Sequence, residues 1–214
     1  MRRFTLTKSC LYGSAGLLFT LCLLIFAGGC VKLDRPSLDR KYFTIDVKRD
    51  DSPASQAKSA KTLIIRRVKI SPRYEDRDLV YKIGPNAYEA DYYNSFFIPP
   101  AALMTQELRL WMSDSGLFAN VLGPESMVTG ELLLEGIVNS IYGDYSQPQP
   151  KAVLNMQFFL LDNNKAAIPI IYSRNFSREI PMKGNSADEL IDAMNQGIKE
   201  IFEELEKDLA GLVG

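Results

Sequence analysis

The first thirty residues place the tightest constraint on what this chain can become. Arg2, Arg3 and Lys8 make a basic head with no acidic residue. Leu17 to Phe26 is an apolar run broken by Thr20 alone, and Ala27, Gly28 and Gly29 lead to Cys30. Basic head, apolar stretch, then small residues is the order of an export signal with its cleavage site. A retained membrane helix competes, but Leu17 to Ala27 covers about 16 Å at ~1.5 Å per residue, against a hydrocarbon core of roughly 30 Å. Extending it backwards adds Tyr12, Gly13, Ser14 and Gly16, which dilute the run. Arg2-Arg3 also raises the twin-arginine route, which the following Phe4-Thr5-Leu6-Thr7-Lys8 fits poorly.

The stretch Ala27-Gly28-Gly29-Cys30 resembles the lipobox of bacterial lipoproteins, with Ala27 where Leu is more usual. That resemblance implies cleavage before Cys30, a diacylglycerol on its sulfur, and a fatty acyl chain such as palmitate on the new amino group. Each buried CH₂ contributes about 0.8 kcal/mol, and stable anchoring takes at least two chains. An ordinary secretory signal with a chance Cys is the competing reading. Val31 stands where Asp commonly retains such lipoproteins at the inner membrane. The resemblance therefore implies the periplasmic face of the outer membrane.

Cleavage would remove Cys10 and Cys22 and block Cys30, leaving residues 30–214 with no free thiol and no disulfide. An exported domain must then be held by its core, which a chain of this length can supply. Loss of Arg2, Arg3 and Lys8 moves the formal charge from −1 to −4. That balance gives no support for nucleic-acid binding. The chain also has no His. Ser-His-Asp and Cys-His sites, His metal centres and His proton shuttles are thereby excluded. Any catalysis would rest on carboxylates, Lys, Tyr, Ser or Thr.

Residues 1–29 read as the signal, 30–40 as a lipidated tether containing Pro36, and 41–214 as one domain. Tyr42 to Val47 alternates like a strand, Asp50 to Lys61 reads as an exposed loop, and Thr62 to Ile70 is a β-branched strand. Leu79 to Ile83 and Ala87 to Tyr93 flank Gly84-Pro85-Asn86 as a hairpin. Pro99-Pro100 introduces a helix over Ala101 to Asp114, with Met104, Leu108, Trp111 and Met112 on one stripe and Gly116 as its stop. Leu117 to Val121 leads to a loop at Gly123-Pro124. Val128 to Tyr142 is a strand with a bend expected at Gly136. Ala152 to Leu161 alternates most clearly, and Asp162-Asn163-Asn164 turns the chain into a strand over Ile168 to Arg178. The last element is a long helix. Ser186 and Glu189 form its capping box, and Leu190, Met194, Ile198, Ile201, Phe202, Leu205 and Leu209 make one apolar stripe. This order predicts an α+β domain with two helices packed on one face of a largely antiparallel sheet.

Several of these segments resemble the ABC-type transport auxiliary lipoproteins, the group that includes the paraquat-inducible protein C lipoproteins. The likeness begins at Lys41-Tyr42-Phe43-Thr44-Ile45. It continues through Val68 to Ile70, Pro72, Tyr74, Asp76, Arg77 and Leu79-Val80-Tyr81-Lys82, and returns at Ser115-Gly116-Leu117-Phe118-Ala119-Asn120-Val121. Phe96-Phe97-Ile98-Pro99-Pro100 stands where the family often has a Trp, Glu75 where it often has Leu, and Asp78 where it often has Pro. The resemblance implies a fold like the amino-terminal domain of TolB. It also implies a non-enzymatic lipoprotein serving an ABC-type permease and an MCE (mammalian cell entry) domain protein in lipid transport between membranes. It implies no catalytic residue and no cofactor beyond the covalent lipid on Cys30; self-association is left open. An envelope-assembly lipoprotein supporting peptidoglycan synthesis or outer-membrane biogenesis is the alternative.

Tyr81, Tyr88, Tyr92, Tyr93, Phe96 and Phe97 put six aromatics into seventeen residues. Cross-strand pairing in a hairpin accounts for such a cluster; so does a contact surface for a partner or for lipid. Phe96, Phe97 and Tyr92 are the candidate contact residues. Phe96 and Phe97 are adjacent on a strand and so face opposite ways. Glu200, Glu203, Glu204, Glu206 and Asp208 read as a solvated helix face, with Glu203 and Lys207 an i,i+4 pair. A carboxylate-based hydrolase would draw on Glu131, Glu135 or Asp144, and spacing alone selects no pair among them. No metal site is expected: Asp162-Asn163-Asn164 lacks the further ligands and the Gly of a calcium loop.

Overall fold

The computed structural model describes residues 39–50 and 58–213. The signal, most of the tether and the expected lipidation site Cys30 lie outside the described residues. So does most of the loop expected over Asp50 to Lys61.

The chain runs β1 (Lys41–Phe43), β2 (Ser59–Ile65), β3 (Lys69–Ile70), a 3₁₀ turn (Pro72–Tyr74), β4 (Asp78–Lys82) and β5 (Tyr88–Phe96). It continues with α1 (Pro100–Asp114), β6 (Phe118–Leu122), β7 (Leu132–Asp144), β8 (Lys151–Asp162), β9 (Ile170–Pro181) and α2 (Ala187–Val213). The α+β class is as the sequence predicts.

β7 is the spine of the sheet. One edge pairs antiparallel with β8 from Leu132 to Asp144, and β8 pairs antiparallel with β9. Along the other edge three short strands follow one another, all parallel to β7. β2 takes Leu132–Leu134, β3 takes Ile137–Val138, and β4 takes Gly143–Asp144. β6 adds to β2, β5 to β4, and β1 to β5 as an outer strand.

The sheet is therefore mixed, which corrects the expectation of a largely antiparallel one. Among the described residues five ladders are parallel and three antiparallel. The long strands joined by tight turns are antiparallel, as alternation and turn chemistry foretell. The parallel strands meet β7 over only two or three residues each, and their partner is remote in sequence. The strand expected over Thr62 to Ile70 is in fact two, β2 and β3, because the chain steps from one section of β7 to the next. Leu117 to Val121, read as a lead into a loop, lies mostly in β6.

A bend is expected at Gly136; the irregularity that interrupts the β7 ladder is a bulge at Asn139. Val138 pairs with Met156 and Ser140 with Asn155, so Asn139 is an extra residue in the ladder. Such a bulge shifts the side-chain phase by one. Leu132, Leu134 and Val138 face the core before it, and Ile141 and Gly143 after it.

The helices start and stop where local chemistry dictates. Pro99 and Pro100 carry no N–H and preset φ for the entry to α1, and Gly116 turns the chain out at φ 64°. At α2, the Glu189 N–H donates to Ser186 Oγ at 3.3 Å and the Ser186 N–H to Glu189 Oε2 at 3.0 Å, the two halves of the capping box. All seven stripe residues of α2 are buried, facing Ala152, Leu154, Met156, Phe158 and Leu160 of β8. Phe202 touches Phe158 of β8 and Trp111 of α1, with ring centroids 6.3 and 5.7 Å apart, so both helices share one core with the sheet. Each such side chain removed from water contributes about 1.5–3 kcal/mol.

The acidic row of α2 is not simply solvated, a second correction. Glu200 and Glu204 pair with Arg178, and Glu204 and Asp208 with Arg174, so β9 supplies the cations. Glu206 takes Arg49 at 2.9 Å and also accepts the Trp111 indole N–H at 2.9 Å. Glu203 lies nearest Lys199, at 3.8 Å, instead of Lys207. Acidic residues at helical spacing look solvated in a sequence because the basic strand opposite them cannot be seen.

Candidate functional site

The aromatic cluster divides by the face each residue takes. Phe96 is 3% exposed and belongs to the core, so it is withdrawn as a contact candidate; the pleat that turns it inward turns Phe97 outward. Phe97 and Tyr92 are each 66% exposed. Tyr81 turns in against Tyr145 (centroids 5.2 Å), and Tyr88 leans on Tyr142, which stacks on Tyr74. Cross-strand pairing and an outward surface thus both exist, built by different members of one cluster.

A wide bulge in β5 creates the outward half. Val80 pairs with Ala90 and Asp78 with Ser95, so the single residue Leu79 on β4 lies opposite four on β5, Asp91 to Asn94. Asp91 organises the loop. Its Oδ1 accepts the N–H groups of Tyr93 (2.7 Å) and Asn94 (3.0 Å), and its Oδ2 accepts Asn94 Nδ2 (2.7 Å) and the Tyr81 hydroxyl (2.6 Å). Burial alone would raise this carboxyl. The hydrogen bonds from Tyr81, Asn94 and the two backbone amides outweigh that and hold it below the usual carboxylate range. Burial, then donation to Asp91, keeps Tyr81 a phenol far above its ordinary value.

With the loop pinned, Tyr92 and Tyr93 project side by side, ring centroids 5.1 Å apart. β1 and the residue just before it bring two further side chains. Arg40 lays its guanidinium 4.3 Å over the Tyr92 ring and donates Nε–H to the Tyr92 carbonyl at 2.8 Å. Tyr42, two residues on, meets Phe97 edge-on at 6.3 Å. The Phe97 N–H donates to the Phe43 carbonyl at 2.7 Å, which fixes the outer end. Arg40 and Tyr42 were not singled out from the sequence. The clue available there was their i,i+2 spacing at the start of the domain, which places both on one side of an extended segment.

The carboxylates considered for hydrolysis are structurally engaged and far apart. Glu131 accepts the Thr62 N–H at 2.7 Å, Glu135 pairs with Arg66 at 2.8 Å, and buried Asp144 accepts Ser146 and Lys82. Along β7, at ~3.3 Å per residue, Glu131 and Glu135 are separated by about 13 Å and Glu135 and Asp144 by about 30 Å. The paired carboxyls of a glycosidase stand roughly 5–9.5 Å apart. These three therefore form no such pair. Among the described residues no group of three or more His, Cys, Asp or Glu is placed to hold a metal ion.

On the sheet face away from the helices lies an open groove of about 550 Å³. Ile64, Leu133 and Ile137 floor it, with Arg66, Arg67 and Lys69 at its edge. Sequence reasoning did not find it, because its lining comes from four separate segments. No helix among the described residues is long and apolar enough to cross a membrane.

Comparison with known proteins joins these observations. The structure is similar to that of a protein from Xanthomonas campestris assigned to the family DUF330, with a TM-score of 0.70 and 16% identity, covering 80% of this chain and 97% of that one. It is also similar to a second solved protein, described only as uncharacterized, with a TM-score of 0.64 and 14% identity over 80% of this chain and 99% of that one. At those identities the likeness is one of fold. No curated protein matches the sequence. The family model described as "ABC-type transport auxiliary lipoprotein component" matches residues 43–206, from the end of β1 to the last turns of α2. That span takes in nearly the whole folded domain, and the chain belongs to the ABC-type transport auxiliary lipoprotein family.

Proposed function

We propose that this protein is a non-enzymatic lipoprotein that serves an ABC-type transport system by holding a folded docking module at a membrane. In this reading Cys30 carries the lipid, residues 31–40 form the tether, and the domain presents surfaces to the transporter. The single observation that carries the reading is the family match over residues 43–206. The residues upstream fit it: the small-residue stretch ending at Cys30 lies thirteen positions before the matched span. Glu131, Glu135 and Asp144, engaged and far apart, offer no hydrolytic pair, which fits a body that positions partners.

The finer reading is an outer-membrane lipoprotein facing the periplasm, working with an MCE-domain protein and an ABC-type permease to move lipids between membranes. Support for the location is Val31 where inner-membrane retention would need Asp. The test is in-cell crosslinking followed by affinity purification of the full chain, with membrane fractionation of the same cells. Recovery of a permease or an MCE-domain protein, and an outer-membrane position lost in Cys30→Ala, is the expected result. Capture of peptidoglycan-synthesis or outer-membrane-assembly proteins in their place would move the protein to envelope assembly. Unchanged fractionation of Cys30→Ala would remove the anchor.

A further inference from the structure

We propose that the outward aromatic patch, Tyr42, Tyr92, Tyr93 and Phe97 with Arg40 among them, seats in the headgroup layer of the same bilayer that holds the Cys30 lipid. The domain would then lie against its membrane by the β1–β5 edge. The inference deepens the functional reading above and rests on its lipid anchor.

Three observations carry it. The first is continuity. Ring contacts join Tyr93 to Tyr92 and Tyr42 to Phe97, and Arg40 links the pairs through its stacking on Tyr92 and its place two residues before Tyr42. Exposed aromatics scattered singly mean little, whereas a contiguous patch marks a contact surface. The second is rigidity. Four hydrogen bonds to Asp91 fix the Tyr92–Tyr93 loop, and backbone bonding to Phe43 fixes Phe97. The rings are held outward before any contact forms, so little order has to be imposed on binding.

The third is position, and it selects the occupant. Arg40 is both a member of the patch and the residue at which the tether enters the domain. It stands ten positions after Cys30, and a chain that long spans at most about 36 Å. Arg40 is therefore never more than one tether length from the bilayer, which makes the lipid surface the partner always at hand for the rings around it. Tethering also makes the encounter intramolecular, so a surface affinity too weak to hold a free protein suffices. The composition suits the place. Tyr presents an apolar ring and a polar tip at headgroup depth, Phe supplies apolar area, and Arg can keep its charge among the phosphates.

The test uses the full chain expressed with its signal in a Gram-negative host, extracted from membranes and reconstituted into phosphatidylethanolamine–phosphatidylglycerol vesicles. Phe97→Trp and, separately, Tyr92→Trp place a reporter in the patch, while the native Trp111, buried in the core, serves as the internal baseline. Intact mass establishes whether Cys30 is acylated in each sample. With Cys30 acylated, the added Trp emission is expected to shift to shorter wavelength and to be quenched by phospholipid brominated near the headgroup end of its chains. The wild-type Trp111 signal should stay unquenched. Acylated protein whose added Trp at both positions remains unquenched overturns the proposal, leaves the anchor standing, and hands the patch to a protein partner. Protein without acyl chains on Cys30 overturns the anchor and this inference with it. An unchanged thermal midpoint in both variants confirms that the reporters are read in the folded domain.

Discussion

Two glycines of α2 are expected to answer the same substitution with opposite signs. Gly197 lies where the helix runs closest to the sheet: a Cβ there would stand 2.4 Å from Leu154 Cδ1 and 3.1 Å from Ile180 Cγ1. Leu154 is wholly buried, so its methyl has nowhere to swing. Gly211, fourteen residues on, has nothing within 4 Å of that point. Replacing a helical Gly by Ala stabilises by roughly 0.8–1 kcal/mol, because less backbone entropy is lost. Forcing a methyl into filled space costs typically about 1–3 kcal/mol. The overlap at Gly197 is deep, so the upper part of that range applies, and Gly197→Ala is expected to lose about 2 kcal/mol net. Gly211 meets no overlap but sits in the last turns, where fraying reduces the benefit, so Gly211→Ala should gain about 0.5 kcal/mol. Urea unfolding followed by far-ultraviolet circular dichroism separates the two. With m near ~2 kcal/mol/M, the Gly197→Ala midpoint falls by about 1 M and the Gly211→Ala midpoint rises by about 0.25 M, both with m unchanged. A Gly197→Ala protein as stable as wild type would show that α2 does not approach β8 this closely. A destabilised Gly211→Ala would show that its surroundings are not open.

Neighbouring residues of β5 should behave as differently as their exposures. Phe96→Ala is expected to lose about 3–5 kcal/mol and Phe97→Ser no more than about 0.5 kcal/mol, as read by the same unfolding assay. Glu206→Ala takes the carboxylate from the mostly buried Arg49 guanidinium, which keeps only its bond to the Asp114 carbonyl, and leaves the Trp111 indole N–H without its acceptor. A loss of about 2–4 kcal/mol follows, with Glu206→Gln losing less because it still accepts from Trp111. Asp91 carries a depressed carboxyl, so its contribution is present above its unfolded pKa of about 3.9 and is lost as pH falls through the lower folded value. The stability gap between wild type and Asp91→Asn should therefore be constant near neutrality, begin to narrow below about pH 4, and close as pH falls through the lower folded value. A gap that does not narrow at all as pH falls below about 4 would refute the role given to those four hydrogen bonds.

What could be read in the sequence was whatever repeats with a period. The alternation of Ala152 to Leu161 and the stripe from Leu190 to Leu209 each bury the residues they named, because one element supplies enough turns of pattern to fix its own inner face. The capping box of Ser186 and Glu189 and the stop at Gly116 were legible because caps are local chemistry. The short strands were not. Lys69–Ile70 has no period, and what makes it a strand is its place beside Ile137 and Val138, some seventy residues on. The same limit applied to the site. Its aromatic content was plain in the sequence, but the sorting into inward Tyr81 and Phe96 and outward Tyr92, Tyr93 and Phe97 depends on a bulge. That bulge is set by one carboxylate, Asp91, whose partners include Tyr81 across the hairpin.

The dependence of β2, β3 and β4 on a single later strand bears on how the domain is made. If the chain is threaded across a membrane amino terminus first, residues 59–82 arrive while their common neighbour, residues 132–144, is still inside. Until it emerges β2 has only β6 to pair with and β4 only β5, and the sheet cannot close. Completion of the fold is thus tied to delivery of the carboxy-terminal half: the leading half waits on the far side with one edge of β2, β3 and β4 unpaired until residues 132–144 arrive.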